Sequence, residues 1–338
     1  MTERNRNQHH APSAGSASTT TPPAGENRRR PRKPESPRES FQTERTHRGA
    51  QLSKTPDYLV IGHITADLQA DGSVVLGGTA LYSALTAARL GARVGVLTRG
   101  VFGREVAGMK VPSLDPYLEE ISIIAQDADV PTTFINEYRA DLRVQTMPHW
   151  AGEIDLRGLP PHWRNTPIVH LGPIADEINP SHAVGLTTDF LGITPQGWMR
   201  DWPRQTGGKV HLIPLKLPGA LLGRVDSAIV SVEEIAYARE VVERVGERRL
   251  GVITRDKDGV QIIAGGKMVE VPGFKVPTTD LTGAGDVFAA AFFLKAAERT
   301  SSARTAGRFA NAVAALSLSG VGVSAIPTLA QAEELLAR

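Results

Sequence analysis

The sequence predicts an α/β protein: a doubly wound, mostly parallel sheet with helices on both faces, together with a small β-strand lid. Three observations support this prediction. Short apolar segments alternate with helical stretches from residue 58 onward, these segments lack a polar face, and one pair of half-exposed strands interrupts the alternation. We therefore expect one large domain, residues 56–332, after a basic tail at residues 1–55.

The first strand–helix–strand unit lies between residues 58 and 97. The run Tyr58–Gly62 is apolar and β-prone, as a buried strand requires. Gly77-Gly78 opens a helical stretch with its apolar residues on one face, and Gly91 follows in the position of a C-terminal cap. Val94–Leu97 is the next buried-strand candidate. This spacing is typical of parallel strands joined by a helix.

Further strands follow the same pattern, with one exception. Buried strands are predicted at residues 168–171, 228–230 and 250–254. In contrast, Thr132–Tyr138 and Arg143–Met147 flank Ala140-Asp141, which is typical of a hairpin of half-exposed strands. We interpret residues 130–147, with strands near residues 67–76, as the lid.

Charge is distributed unevenly along the 338 residues, whose formal net charge is +2. Residues 1–50 carry a net charge of +5 and the remainder −3. The tail has one aromatic residue, Phe41, so we expect it to be disordered. Its cluster Arg28–Lys33 leaves a contact with nucleic acid or an acidic partner open. No basic folded surface accompanies the cluster, so nucleic-acid binding is not the function we expect.

Composition excludes several other classes. The chain has no cysteine, so disulfides, thiolate metal sites and a cysteine nucleophile are excluded. No apolar run reaches about 18 residues, so no membrane partner is expected. The N-terminus lacks an apolar signal core, and we expect a cytoplasmic protein. His162, His170 and His182 have no metal-ligand spacing and are interpreted as core or surface residues.

The strongest chemical signal is the segment Asp280–Phe288. Gly283 and Gly285 leave backbone N–H groups uncovered, and the Ala-rich stretch 286–318, expected to be helical, starts there, so the segment predicts an anion site. A carboxylate at Asp286 would repel a bound phosphate, but it could accept the proton of an incoming hydroxyl. The N–H groups of Gly283-Ala284-Gly285 could then neutralise a transferring phosphoryl group. Simple capping of the helix by Asp286 is the alternative.

These nine residues resemble the C-terminal signature of the ribokinase-like (PfkB-type) carbohydrate kinase family, usually Asp-Thr-Thr-Gly-Ala-Gly-Asp-x-Phe. Only Leu281 departs from it. Residues 271–276 resemble the strand that leads into the signature. The resemblance implies a small-molecule kinase that transfers the γ-phosphate of ATP to a hydroxyl group, with Mg²⁺ as cofactor and Asp286 as the base. Gly283, Ala284 and Gly285 would then form its anion hole.

The resemblance extends to the acceptor side. Gly62–Asp67 is similar to the end of the family's first strand, which implies that Asp67 holds substrate hydroxyls. Leu76–Thr79 resembles the N-terminal Gly-Gly motif, which implies substrate contacts at Gly77, Gly78 and Thr79. Tyr82 stands where many sugar kinases carry Asn, and this departure speaks against ribose or fructose as the substrate.

On the nucleotide side, Ser231–Glu234 resembles the Asn-x-x-Glu motif. The resemblance implies that Glu234 acts on Mg²⁺ through water, with Ser231 in place of Asn. Thr254–Gly259 resembles the Thr-x-Gly-x-x-Gly segment, which implies nucleotide contacts at Thr254 and Gly259, with Asp256 in place of the first Gly.

Three further implications of the resemblance are left open. Asn311 matches a helix position that borders adenine, although an ordinary polar helix residue fits the sequence equally well. Asp280 and the loop Gly320–Ser324 match places where some members bind K⁺. Lid strands often pair between subunits in this family, so a homodimer through the lid is an open prediction.

The segment 195–200 bears on the substrate. Its Gln196, Gly197 and Arg200 resemble the Asp-x-Gln-Gly-x-x-Arg stretch of a subgroup that contains myo-inositol kinases and archaeal nucleoside kinases. We expect Arg200 to act structurally or at the lid, with a direct phosphate contact as the alternative. A small polyol, either a sugar or a cyclitol such as myo-inositol, ranks first as acceptor and a nucleoside second. The departures at Ser231, Asp256 and Tyr82 keep a non-catalytic nucleotide-binding sensor open.

Overall fold

The computed structural model describes residues 53–139 and 142–338. Its strands are β1 (Tyr58–Ile61), β2 (Thr65–Leu68), β3 (Val74–Gly77), β4 (Val94–Gly100), β5 (Glu105–Val106), β6 (Met109–Lys110), β7 (Ser122–Asp127), β8 (Thr133–Arg139), β9 (Leu142–His149), β10 (Ile168–Leu171), β11 (Phe190–Ile193), β12 (Arg200–Asp201), β13 (Gly208–Lys209), β14 (His211–Leu212), β15 (Ser227–Ser231), β16 (Leu250–Thr254), β17 (Val260–Ala264) and β18 (Lys267–Val271). Its helices are α1 (Thr79–Arg89), α2 (Pro180–Ala183), α3 (Gly219–Leu222), α4 (Ile235–Arg248), α5 (Ala284–Ala297), α6 (Ala303–Ser317) and α7 (Leu329–Ala337).

The main sheet follows the order β18-β17-β16-β15-β11-β10-β1-β4-β7. The strands from β16 to β7 pair in parallel, and β17 and β18 add an antiparallel edge. From β1 the chain first runs outward through β4 to β7, then returns to β10 on the other side of β1 and runs outward through β11, β15 and β16. The predicted α/β class with a mostly parallel sheet is confirmed, and the order reverses between β1 and β10.

Both faces of this sheet are covered because its strands are apolar on both sides. On one face, Tyr58 and Val60 pack with residues of α1, α5 and α6, among them the fully buried Phe292 and Phe293. On the other face, Leu59 and Ile61 pack with residues of α4 and with the fully buried Trp163. The two helix layers leave the carboxyl ends of the parallel strands at one edge.

A second sheet of five strands, in the order β13-β9-β8-β2-β3, stands apart from the main sheet. It contains the β8–β9 hairpin, at the position where the sequence predicts lid strands. Phe134 and Met147 from this sheet form a small apolar cluster with Ile174, Ala175 and Trp202 of the main domain. The hairpin turn predicted at residues 140–141 and the tail up to residue 52 lie outside the described residues.

Two local expectations differ from the structure. The strand expected over residues 271–276 stops at Val271, where Pro272 can donate no N–H to a sheet ladder. The helical stretch expected over residues 286–318 is two helices, α5 and α6, separated by residues 298–302. Ser302 starts α6 as an N-cap, because its hydroxyl accepts the N–H of Thr305.

In the part of the chain that the structure describes, the helices are too short or too polar to cross a bilayer.

The packing of α4 on β16 requires a glycine at residue 251. A Cβ added there would lie 2.1 Å from the carbonyl oxygen of Val242. We expect Gly251→Ala to lower the free energy of unfolding by about 1–3 kcal/mol, because helix and strand would have to separate. Urea denaturation measures this loss. Gly219→Ala is the matched control, since a Cβ there has no neighbour within 4 Å. Equal stability of the two variants would contradict this account of the packing.

Candidate active site

The candidate site lies at the carboxyl ends of the parallel strands, where the strand order reverses between β1 and β10. Open α/β sheets bind ligands in the crevice at such a reversal. Here the residues following the two strands approach closely, since a Cβ on Gly62 would lie 2.3 Å from the carbonyl oxygen of Gly172. A Cβ on Gly172 would in turn lie 2.5 Å from the Thr79 methyl group. The N-terminus of α1 is therefore held at this crevice.

Glu177 stabilises the floor of the crevice and was missed by sequence reasoning. Its side chain is fully buried, and its carboxylate accepts backbone N–H groups of His63 at 2.8 Å, Ile174 at 3.0 Å and Ala175 at 2.7 Å. Three donors compensate the cost of burying the charge. Nothing in the sequence distinguishes Glu177 from an ordinary loop residue, because the N–H groups that it binds come from two separate segments.

Asp286 lies in the first turn of α5, next to the start of α1. Gly283 is the N-cap of α5 and has φ +76°, a left-handed conformation that favours glycine. The Thr79 hydroxyl donates a hydrogen bond of 2.7 Å to Oδ1 of Asp286, and the Ser83 hydroxyl donates one to its carbonyl oxygen. Thr79, expected to contact substrate, is thus also the partner of the proposed base.

Burial raises the pKa of Asp286 to about 6, although the Thr79 hydrogen bond and the positive charge of Arg200 act in the opposite direction. The negative charge of Glu234 adds to the increase. A carboxyl group with this pKa is ionised at neutral pH and can still take up a proton readily. The arrangement therefore suits a general base, whereas a helix cap would gain nothing from burial.

The residues predicted to contact the acceptor form one wall of the crevice. Asp67 on β2 and Gly77 on β3 are close, because a Cβ on Gly77 would lie 2.9 Å from Oδ2 of Asp67. Gly78, with φ +87°, brings its backbone against Thr65 and the carbonyl oxygen of His63. These contacts place the predicted residues Asp67, Gly77 and Gly78 beside Thr79 at the start of α1.

Tyr82 joins this wall to the anion-site loop, the segment Gly283–Gly285 that is predicted to bind an anion. Its ring is buried under Gly283, where an added Cβ would lie 2.2 Å from the ring. Burial raises the pKa of Tyr82, and the negative charges of Asp280, Asp286 and Asp67 raise it further. The phenol thus stays neutral and lies within electrostatic range of three of the predicted site carboxylates.

Glu234 lies at the carboxyl end of β15, where it precedes α4. Oε1 of Glu234 accepts a 2.7 Å hydrogen bond from Nε2 of Gln196, and Oε2 accepts the N–H of Ser231 at 3.0 Å. Its negative charge also acts on Asp286, so these two carboxylates share one electrostatic environment. Sequence reasoning anticipated Glu234 and Gln196 separately but not their contact.

The loop after β16 keeps the backbone shape that a glycine would adopt. Asp256 has φ +46°, and its side chain is exposed. Aspartate is among the non-glycine residues that tolerate this region. Gly259 has φ +91°, and a Cβ there would lie 2.2 Å from the carbonyl oxygen of Val271. Thr254 directs its hydroxyl to the carbonyl oxygen of Val230 at 3.4 Å, between the strands.

Asn311 and Asp280 both bind backbone groups. The buried Asn311 amide donates to the carbonyl oxygens of Val271 at 3.2 Å and Pro272 at 3.0 Å, so it stabilises the chain leaving β18. Asp280 accepts the N–H groups of Thr282 at 2.9 Å and Gly322 at 3.1 Å. Burial opposes ionisation of Asp280, but these hydrogen bonds outweigh it and lower the pKa.

These residues do not form a metal site in which protein side chains supply all the ligands. Among the described residues, no three His, Asp or Glu side chains converge on a common point where they could hold a metal ion. A magnesium ion bound mainly by donor phosphates and water needs only one or two carboxylates. Glu234 meets that requirement, because a carboxylate that accepts two hydrogen bonds retains lone pairs for water.

Comparison with known proteins gives a sequence match over part of the chain and a match in fold over most of it. Residues 223–329 match the model of the pfkB family carbohydrate kinases. Ribokinase of Bacillus subtilis is 46% identical over 85 residues, which cover 25% of this chain and 29% of that enzyme. Fructokinase-2 of Zea mays is 35% identical over 97 residues, which cover 27% and 29%. The matched segment therefore spans less than a third of each of these relatives.

Comparison with solved structures shows that the similarity in fold extends over most of the chain. A pyrophosphate-dependent kinase in the ribokinase family, in complex with sulfate, has a TM-score of 0.66 at 21% identity, over 83% of this chain and 100% of its own. Arabidopsis thaliana ribokinase, complexed with ribose and ATP, has a TM-score of 0.59 at 18% identity, over 84% and 99%. The chain therefore has a ribokinase-like fold, and its residues 223–329 resemble the pfkB family carbohydrate kinases.

Proposed function

We propose that this chain is an ATP-dependent phosphotransferase that moves the γ-phosphate to a hydroxyl group of a small polyol. The observation that carries the proposal is Asp286: a half-buried carboxylate with a raised pKa, at the helix N-terminus that follows Gly283, held by the Thr79 hydroxyl. A structural cap requires neither the burial nor the neighbouring acceptor wall. The match to the carbohydrate kinase model over residues 223–329 supports the same reaction class.

In the proposed reaction, the ionised Asp286 accepts the proton of the acceptor hydroxyl as its oxygen attacks the γ-phosphorus. The bond between that phosphorus and the bridging oxygen breaks, and ADP leaves with the electron pair. The N–H groups of Gly283, Ala284 and Gly285 would face the charge that develops on the phosphoryl oxygens, supported by the dipole of α5. Asp67 would hold a second hydroxyl of the acceptor.

Magnesium and the nucleotide belong to the opposite side of the crevice. Mg²⁺ would be held by the donor phosphates and, through water, by Glu234, where it neutralises phosphate charge during transfer. Ser231, Thr254 and Gly259 would border the donor. Asn311 would act there indirectly, because its amide already binds the chain after β18. A K⁺ contribution at Asp280 remains a prediction of the family resemblance.

A sugar or a cyclitol such as myo-inositol is the proposed acceptor. Two carboxylates, Asp67 and Asp286, near one crevice suit a ligand with several hydroxyl groups. A nucleoside kinase of the same family is the second candidate, and a sensor without turnover is the third. ADP release with Mg-ATP and a panel of sugars, cyclitols and nucleosides distinguishes them. Silence across the panel with ATP still bound would favour the sensor.

Substitution of the base tests the chemistry. We expect Asp286→Asn to reduce turnover by about 10²–10⁴-fold while ATP affinity changes little, because the proton acceptor is lost and the anion site stays. Coupled ADP release and calorimetric ATP binding measure the two effects. Asp189→Asn is the control, since Asp189 is exposed at the amino end of β11. An Asp286→Asn enzyme that kept most of its rate would disprove the base assignment.

The pH profile tests the state of Asp286. Activity should fall as the pH decreases through about 6, because a protonated carboxyl cannot accept the hydroxyl proton. Thr79→Val removes a hydrogen bond that lowers the pKa, so the fall should begin at higher pH. Thr86→Val is the control, because the Thr86 hydroxyl bonds only the carbonyl oxygen of Tyr82 within α1. Profiles of kcat/KM against pH that coincide for wild type and Thr79→Val would rule out this role of Thr79.

Substitution of Asp67 tests whether this wall of the crevice binds the acceptor. Asp67→Ala should raise the KM for the acceptor far more than the KM for ATP, by about 10–100-fold if a charged hydrogen bond to a hydroxyl is lost. Asp71→Ala in the exposed turn of the same hairpin is the control. Steady-state kinetics with each substrate varied in turn give both constants. If the two constants rose equally, Asp67 would have a structural role instead.

A further inference from the structure

One hydroxyl group, that of Thr132, lies where the second sheet joins the main domain. Thr132 directly precedes β8 and is fully buried. Its Oγ1 accepts the backbone N–H of Ala151 at 3.0 Å, and Ala151 follows the end of β9 by two residues. The same oxygen lies 2.8 Å from Nδ1 of His63, in the loop between β1 and β2. The hydroxyl therefore joins both ends of the β8–β9 hairpin to the segment that leads to Asp67.

The hydrogen positions follow from the partners of this hydroxyl. A threonine hydroxyl has one hydrogen to donate and two lone pairs that accept. Because Thr132 already accepts the N–H of Ala151, donation of its own hydrogen to Nδ1 of His63 completes the bonding of both groups. Burial lowers the pKa of His63, although the charge of Glu177 opposes the change, so the ring is neutral and can accept at Nδ1. The hydrogen of the ring then resides on Nε2.

The segment between β1 and β2 is held at both of its ends. The N–H of His63 donates to Glu177 at 2.8 Å, and the N–H of Ala66 donates to the carbonyl oxygen of Thr132 at 2.9 Å. Thr132 thus binds this segment twice, through its hydroxyl at His63 and through its carbonyl group immediately before Asp67. A displacement of Thr132 would therefore be transmitted to Asp67.

We propose that His63 and Thr132 are positioning residues, which fix Asp67 and the base of the second sheet in one arrangement at the crevice. The inference rests on the proposed function, because that function gives Asp67 the task of holding the acceptor. Both side chains are fully buried, so each would act through Asp67 rather than on the substrate. The acceptor side of the reaction then depends on a hydrogen bond between residues 69 positions apart in the chain.

The second sheet also contacts the main domain through Arg200. Nη1 of Arg200 donates to the carbonyl oxygen of Ile174 at 2.8 Å, and its guanidinium carbon lies 5.1 Å from the centre of the Phe134 ring on β8. These contacts involve the loop after β10 and are kept intact in the variants below. Loss of the Thr132 hydroxyl should therefore loosen the base of the hairpin without releasing the whole sheet.

Two substitutions at Thr132 test the role of its hydroxyl. Thr132→Val leaves the N–H of Ala151 and Nδ1 of His63 without this partner at almost unchanged volume, whereas Thr132→Ser keeps the hydroxyl. We expect Thr132→Val to raise the KM for the acceptor about 10-fold, with little change in kcat or in the KM for ATP. Thr132→Ser should stay near wild type. Thr133→Val is the matched control, because the hydroxyl of the buried Thr133 has a weak partner, the Met109 sulfur at 4.0 Å.

Substitution of His63 supplies an independent pair of variants. The amide of an asparagine reaches the position of Nδ1, so His63→Asn can still accept the Thr132 hydrogen. The amide of a glutamine reaches the position of Nε2 instead, so His63→Gln should raise the acceptor KM as Thr132→Val does. Steady-state kinetics with each substrate varied in turn measure these constants. Equal acceptor constants for His63→Asn, His63→Gln and wild type would overturn the inference.

Two measurements on the whole protein need no turnover. Nitrogen-15 NMR of labelled histidine rings, with the His63 signals assigned by His63→Asn, reports which ring nitrogen carries the hydrogen. Wild type should show Nε2–H, and Thr132→Val should shift the Nδ1 signal. Hydrogen exchange in peptides covering β8 and β9 should be about 10-fold faster in Thr132→Val and unchanged in Thr133→Val. A His63 spectrum and an exchange rate that are the same in wild type and Thr132→Val would also overturn the inference.

The outcomes separate this inference from the proposed function. A wild type that transfers no phosphoryl group, but shows the expected NMR and exchange differences, would refute the proposed function alone. Faster exchange in Thr132→Val with an unchanged acceptor KM would refute the positioning role, because the hydroxyl would then serve stability only.

Discussion

The buried carboxylate of Glu177 sits where the two halves of the main sheet diverge, and the site is built around it. It accepts N–H groups from His63, which follows β1, and from Ile174 and Ala175, which follow β10. A buried charge is tolerated only with such partners, so the two loops must stay together. The loop after β1 leads to Asp67, and the loop after β10 receives Arg200. The acceptor wall and the second sheet therefore depend on the same carboxylate.

Above this floor, the N-termini of α1 and α5 meet. Their positive ends favour an anion between them, yet both also carry polar side chains that face each other, Thr79 and Asp286. The hydrogen bond between these residues joins segments 207 residues apart in the chain. It gives the carboxylate one fixed orientation while burial keeps its proton affinity high. Tyr82 fills the space under Gly283, so the wall and the anion-site loop form a continuous surface.

Two of the three departures from the family pattern, Asp256 and Ser231, keep a regular local backbone. Asp256 keeps a left-handed conformation and directs an exposed side chain away from the packed loop. Ser231 donates its backbone N–H to Glu234, a contact that any residue except proline could make. Neither change alters the polar groups that surround Asp286. In the proposed function, these two departures would therefore bear on the donor side more than on the proton transfer.

The sequence by itself determined the fold class, the positions of the buried strands and the Gly283–Asp286 segment, because these depend on local apolar runs and on glycines with few alternatives. Through the family resemblance it also predicted substrate contacts at Asp67, Gly77 and Gly78, which stay predictions. Only the tertiary structure decided the contacts of Glu177, Arg200 and Asn311 and the pairing of Thr79 with Asp286. Each of these depends on a partner far away in the chain, and a long-range contact leaves no periodic or local signal in the sequence.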